Sequence, residues 1–336
     1  MRSSYKISWW ALLLFPLLAW SQPKSVTLLV PYTPGSGPDM VARTIAPKLS
    51  ARLNLPVIVE NKAGASGNIG ADFVAKSKPD GSILMLTVNS FNVTPALYKK
   101  LPYDPIKDFT PIAMLGASSL ALVVNTNVPA QNLESFVALA RTKPGQLAYS
   151  SSGAGTTQHL TMEVFKKRFG LDILHVPYRG ASGAITDVIG GQTQAMMMPV
   201  HNAMPFVRQN KLRLLAVVKD TRSAFAPDVP SFGELGVGNL DLDVAFWLSG
   251  PAGLPLEQVN KLNHELLQVL AQAEVKESFA SQGITPDPSS PAQLADFIKN
   301  DIARWRRFVS DIYRTTLPNG NPGSKFLNGK SSCRNW

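Results

Sequence analysis

Two glycine-rich segments carry the residue types that could hold an anion without doing chemistry on it. The first is Pro31-Tyr32-Thr33-Pro34-Gly35-Ser36-Gly37-Pro38-Asp39, and the second is Ser150-Ser151-Ser152-Gly153-Ala154-Gly155-Thr156-Thr157-Gln158-His159. In each, glycines let backbone N–H groups point into one concave space, and a helix beginning there adds a partial positive charge. Such a terminus is worth about 0.3–1 kcal/mol to an anion when exposed, and up to about 2 kcal/mol when partly buried. Pro38 suits a first helical turn, where its missing N–H costs nothing. Asp39 could cap that helix, or it could hold a water or a ligand group; its type leaves both readings open. Facing each other across a cleft, the two segments would grip a carboxylate, or a dicarboxylate at both ends. Singly, each reads equally well as an ordinary strand-to-helix turn.

Other chemistries find less support. The chain has no G-x-S-x-G elbow, no H-E-x-x-H and no G-x-x-x-x-G-K-[ST] loop. Neither glycine segment has the G-x-G-x-x-G spacing of a dinucleotide site. His159 with Glu163 one turn later makes only two candidate ligands, too few to define a metal site. No metal and no cofactor is expected. His175 lies in an apolar run and reads as core. The competing function is a secreted serine hydrolase using Ser151 or Ser152, with His159 as the only nearby base.

The elements that must position these loops alternate along the chain. Strand patterns at 26–32, 56–60, 82–88 and within 111–125 are interleaved with helical patterns, the first at 40–53. A Gly-rich turn over 61–70 leads into a further helix. The rhythm then restarts: helix 133–141, strand 147–150, helix 160–169, strand 173–178, helix 181–189, and strands 194–200 and 212–218. Alternation of this kind predicts an α/β protein with mostly parallel sheets and crossover helices. The last third reads as three helices, 256–271, 275–282 and 291–312. With little strand of their own, they are expected to pack back on the first domain. The chain would then cross between domains twice, near Asn125 and near Phe246. The expected division is a first domain of 22–125 and 246–313, and a second of 126–245.

The ends set the compartment. Arg2 and Lys6 precede an apolar run at 7–18, followed by Ala19-Trp20-Ser21, which is the pattern of a signal peptide cleaved after residue 21. The only cysteine, Cys333, cannot close an internal disulfide, so stability must come from the core. The formal charge of +10 is concentrated at the ends: Arg2, Lys6, Arg314, Lys325, Lys330 and Arg334 lie in stretches without a single acid. The body is therefore only mildly basic, which suits an anion binder and excludes a nucleic-acid surface. Residues 314–336 have no periodicity and are rich in Gly, Pro, Asn and Ser, so an irregular, disordered tail is expected.

Six blocks, in order, carry a resemblance: VPYTPGSGPDMVAR (30–43), VIVENKAGASGNIGA (57–71), PALYKKLPYDPIKDF (95–109), SSGAGTTQHL (151–160), HVPYRGASGAITDVIGGQ (175–192) and KLRLLAV (211–217). Together they resemble the solute receptors of tripartite tricarboxylate transporters, known as Bug receptors. The resemblance implies a periplasmic, two-domain flytrap of the periplasmic-binding-protein fold, with a small carboxylate in the cleft between domains. It places the ligand contacts on Tyr32, Gly37 and Asp39, on Asn89, and on Ala154, Thr156 and Thr157. The partners it implies are a membrane permease or a sensor kinase, served by a monomer. One departure bears on the ligand. Where many relatives have an acid followed by Asn, this chain has Met198-Pro199. A ligand without a free amine is therefore expected, either a dicarboxylate or an aromatic or long aliphatic acid, walled by Met198 and Trp247. The methionines at 196–198 read equally as core.

Overall fold

A computed structural model of the chain describes residues 24–98, 100–237 and 243–314. The expected signal peptide and the tail beyond Arg314 lie outside the described residues. Within them, no helix is long and apolar enough to cross a membrane.

Two sheets organise the molecule. The first has the order β11-β4-β10-β3-β1-β2, built from β1 (Val26–Val30), β2 (Val57–Asn61), β3 (Ile83–Val88), β4 (Phe109–Ser118), β10 (Val244–Pro251) and β11 (Thr285–Pro286). The second has the order β7-β6-β8-β5-β9, from β5 (Leu120–Asn125), β6 (Ala148–Ser151), β7 (Leu174–Pro177), β8 (Ala195–Pro199) and β9 (Leu212–Val217). Among the described residues ten helices cover them: α1 (Gly37–Leu53), α2 (Asn68–Ala75), α3 (Ser90–Leu97), α4 (Leu133–Thr142), α5 (Thr157–Phe169), α6 (Ala181–Ile189), α7 (Val200–Arg208), α8 (Leu256–Ala271), α9 (Ala273–Ser281) and α10 (Pro291–Arg314). A 3-10 turn over Ala65–Gly67 leads directly into α2.

The expectation of mostly parallel sheets needs correction. The β1–β2, β1–β3, β6–β7 and β6–β8 pairs are parallel, but β10 runs antiparallel between β3 and β4, and β5 antiparallel between β8 and β9. The reason is the connectivity. Each time the chain passes from one sheet to the other, the arriving strand enters an interior position from the opposite direction. The first passage falls at Ser119, between β4 and β5, rather than near Asn125. The apolar stretch 111–125 is thus divided between two strands of different sheets. The return passage lies between β9 and β10.

Setting β11 aside, the two sheets repeat one plan. Strands β2-β1-β3-β10-β4 of the first correspond in order and direction to β7-β6-β8-β5-β9 of the second. Three parallel strands in each sheet run directly into helices at their carboxyl ends: β1, β2 and β3 into α1, α2 and α3, and β6, β7 and β8 into α5, α6 and α7. Ligands of open α/β sheets bind at such carboxyl ends. The three C-terminal helices lie on the first sheet, with α8 and α10 both against β4. Strand β10 is buried along its whole length, with Phe246 and Trp247 turned to opposite faces and into different core clusters.

Candidate functional site

The two glycine segments fold into the same device. Before α1, Gly35 takes the left-handed conformation at φ 76° and Ser36 is the N-cap. Three residues into the turn, the Asp39 carboxylate reaches back to accept from the Gly35 N–H at 2.9 Å. Before α5, Gly155 is left-handed at φ 80° and Thr156 is the N-cap. At the matching position, His159 Nδ1 accepts from the Gly155 N–H at 3.0 Å. In both loops a side chain one turn into the helix thus engages the amide that precedes the cap. The first-turn amides of each helix begin at this loop, where no earlier helical turn can accept from them.

The braces differ in what supports them. Asp39 is also bonded by Arg43 Nε at 3.0 Å and Asn61 Nδ2 at 2.9 Å. Burial alone would raise its pKa, but the hydrogen bonds from Arg43, Gly35 and Asn61 outweigh it and hold the carboxyl below the ordinary range. His159 instead stacks on His175 at 4.1 Å between ring centres, and His175 stacks on Tyr149 at 4.8 Å. Burial pushes both imidazoles down to about 3, helped by Lys166 at His159 and by His159 at His175. Both rings are therefore neutral at physiological pH.

Six helix N-termini, three from each half, meet at one cavity of about 50 Å³. Its lining includes Ser36 and Gly37 of α1, Gly67 before α2, Ser90 of α3, Thr157 and Gln158 of α5, Gly180 and Ala181 of α6, and His201 and Asn202 of α7. Tyr32, Met196 and Phe246 add apolar surface. The cleft is closed. Ser66 Oγ donates to the Ala154 carbonyl at 2.8 Å and Ser182 Oγ to the Pro34 carbonyl at 3.0 Å, each bond joining the two halves. Gly37 is required by this closeness, because a Cβ there would lie 2.6 Å from His201 Nε2.

Three polar atoms of this lining are buried and have no hydrogen-bond partner among the described residues: Ser36 Oγ, Thr157 Oγ1 and His201 Nε2. A buried polar atom left unpaired costs about 1–3 kcal/mol, so three around one cavity mark a place built to be completed by something polar. The described lining contains one cation, Arg179, and no carboxylate. Tyr32 also stays uncharged: burial raises its phenol to about 12, with the bond to Thr87 a smaller opposing effect. The field in the cavity is thus positive, set mainly by helix ends.

Of the residues implied by resemblance, Tyr32, Gly37 and Thr157 line the cavity. The others stand behind it. Asp39 holds its own loop through Gly35, Arg43 and Asn61. Asn89 accepts from the Ala245 N–H at 2.6 Å and faces Asp301 at 3.4 Å, fixing the corner between β3, β10 and α10. Thr156 caps α5 and donates to the Gly153 carbonyl at 2.8 Å. Ala154 takes part through the carbonyl that Ser66 contacts.

Two expected walls are corrected. Met198 is wholly buried in the core of the second sheet with Ala121 and Val200, and the cavity wall from this strand is Met196. Trp247 packs on the far face of its sheet, 5.9 Å from Phe297 and 6.4 Å from Phe91, because adjacent strand residues face opposite ways and Phe246 takes the cavity side. Of the residues in the hydrolase reading, Ser152 lines the cavity, while Ser151 and the expected base His159 are engaged elsewhere. Ser151 is fully buried and its Oγ bonds His175 Nε2 at 2.7 Å, whereas His159 is committed to Gly155. Sequence reading missed Ser36, Ser90, Gln158, Arg179, His201 and Phe246 as lining residues. No cluster of three or more potential metal ligands occurs among the described residues.

This fold and cleft define a class, the two-domain periplasmic-binding-protein fold with its ligand site between the lobes. A model of the tripartite tricarboxylate transporter family receptor matches residues 41–313. Protein BugT of Bordetella pertussis is 33% identical over 290 residues, spanning 86% of this chain and 89% of BugT. Among solved structures, the R. palustris protein Rpa4515 with adipate superposes with a TM-score of 0.83 at 30% identity, covering 86% of this chain and 97% of that one. MatC from Rhodopseudomonas palustris, with bound malate, gives a TM-score of 0.81 at 28% identity, covering 88% and 99%. The chain belongs to the tripartite tricarboxylate transporter receptor family.

Proposed function

We propose that this protein is a periplasmic receptor that captures a small organic carboxylate lacking a free amine, for a tripartite tricarboxylate-type permease or a membrane sensor. The observation that carries the reading is the convergence of Ser36 Oγ, Thr157 Oγ1 and His201 Nε2, all buried and unpaired, on a cavity ringed by six helix N-termini. A carboxylate supplies the acceptors that the amides and hydroxyls call for. An ammonium would meet Arg179 and helix dipoles with no counter-charge in the described lining. The adipate and malate in two relatives are acids of this kind. Apolar surface from Met196, Phe246 and Ile185 suits a hydrocarbon body between acid groups.

In this reading the chain is a monomer exported by residues 1–21, needs no cofactor and does no chemistry on its ligand. Its two sheets are the cores of two domains. The first comprises the chain up to Ser118 and again from Val244, and the second runs from Leu120 to Val217. Calorimetric titration with acetate, succinate, malate, adipate, benzoate and aspartate tests the ligand class. Binding of one or more of the amine-free acids is expected, with a melting temperature that rises with ln[ligand] at saturation. Tight aspartate binding with no response to the amine-free acids would refute the ligand class. Ester turnover abolished by Ser152→Ala would replace the receptor reading with the hydrolase.

A further inference from the structure

His201 stands in the first turn of α7, 2% exposed, where it reaches across the cleft to the first turn of α1. Its Nδ1 lies 2.9 Å from Ser118 Oγ at the end of β4, so the residue is held from one side. Phe246 of β10 packs edge-on to the ring at 5.9 Å. The backbone of Gly283, in the turn between α9 and β11, covers the start of α7 behind it. Its Nε2 has no hydrogen-bond partner among the described residues and points at Gly37, another residue of the cavity lining.

The charged groups around the imidazole are few. On α1, Asp39 is consumed by Gly35, Arg43 and Asn61. Across the cavity stands Arg179, a cation. The N-terminal ends of α1 and of α7 itself add partial positive charge. Neither β4, β10 nor the α9–β11 turn contains an Asp or Glu. Everything near the ring therefore disfavours imidazolium. Burial alone pushes its pKa down to about 3.

We propose that His201 is a specificity-determining residue: Ser118 donates to its Nδ1, and its neutral Nε2–H is the directional donor by which the second domain grips the ligand carboxylate held by the α1 amides. The inference rests on the carboxylate-receptor reading above. A neutral donor selects an ionised acceptor oxygen without adding charge, whereas a protonated ring beside Arg179 and two helix ends would be repelled.

The test uses the full mature chain and the same acid panel, from pH 5.5 to 7.5. With the cleft open, an exposed His201 has an ordinary pKa of about 6.5; in the closed, liganded state it is neutral. Closure is then favoured above pH 6.5 and weakens as pH falls, by up to about tenfold per pH unit. His201→Ala is expected to weaken binding about tenfold to a hundredfold at pH 7.5, the loss of one hydrogen bond to a charged group. His201→Gln, which keeps a donor and cannot titrate, should retain most of the affinity while flattening the pH profile. Melting curves of both variants, compared with the unaltered protein, separate loss of binding from loss of folding. If the unaltered protein binds an amine-free acid and His201→Ala binds it equally well, His201 has no such role and the receptor reading stands. Affinity that rises as pH falls, with that rise absent in His201→Gln, would mean an imidazolium contact and would also overturn the proposal. If no acid in the panel binds, the receptor reading itself has failed.

Discussion

The loops before α1 and before α5 solve one geometric problem with opposite electrostatics. Both place a left-handed glycine, a hydroxyl N-cap and a reach-back acceptor in the same three-dimensional order. In the first, the acceptor is an ionised carboxylate tied to Arg43 and Asn61. In the second it is an uncharged imidazole inside a ring stack. The carboxylate offsets part of the positive field at the α1 terminus; the imidazole leaves the field at α5 intact. The stronger anion-attracting end therefore belongs to α5.

The largest effect should come from removing the charged brace. Asp39→Ala strands the Gly35 N–H, Asn61 and Arg43 together, and should cost about 2–4 kcal/mol in denaturant unfolding, with weakened ligand binding as a consequence. A loss below about 1 kcal/mol would mean that Arg43, half exposed, and Asn61 find other partners at no cost.

Acid should then separate the two braces. Each has a folded-state pKa below its unfolded value, so each contributes stability that is complete above the unfolded pKa and is lost as pH falls toward the folded one. For Asp39 that loss begins as pH falls through the ordinary carboxylate value of 3.8. For His159 it begins near pH 6.5 and continues down to about 3. Between pH 6.5 and 5.5 its share is at most about 1.4 kcal/mol. His159→Asn, which keeps an acceptor for Gly155 without taking a proton, should flatten the decline in melting temperature over that interval. An unchanged slope would assign the acid sensitivity to His175 and His201.

The smallest effect distinguishes the caps. Thr156 Oγ1 accepts from the His159 N–H, whereas Ser36 makes no capping bond. Thr156→Ala should cost about 1 kcal/mol of stability. Ser36→Ala should leave stability nearly unchanged and appear instead as weaker carboxylate binding, since its hydroxyl faces the cavity. If both behave alike in both assays, the functional difference between the caps disappears.

Much of this was legible in the residues, and the exceptions have physical causes. Gly, Ser and Thr clusters between a strand pattern and a helix pattern mark the α1 and α5 loops directly. The α7 terminus carries no such mark: Pro199-Val200-His201 has no glycine, and only the fold brings it to Gly37. Three consecutive methionines hide which of them faces the cavity, because a strand's side is read from alternation and there is none. The same applies to Phe246 and Trp247, both large and apolar on a strand buried on both faces. Strand β10 itself escaped for that reason. Its position at the middle of the first sheet, far in sequence from its neighbours, is a property of topology rather than of local pattern.

The passage at Ser119 has a mechanical meaning. Only one residue separates β4 from β5, and the returning chain runs beside it, with Val244 paired to Ser118 and the Val218 N–H bonded to the Leu120 carbonyl. A crossing this short acts as a leaf spring. Sliding one lobe past the other would tear ladder hydrogen bonds, whereas bending needs only small dihedral changes in a few residues. If the two sheets are the cores of two domains, as proposed, this crossing predicts a swing about one axis, with the rim opposite Ser119 as the doorway for a solute.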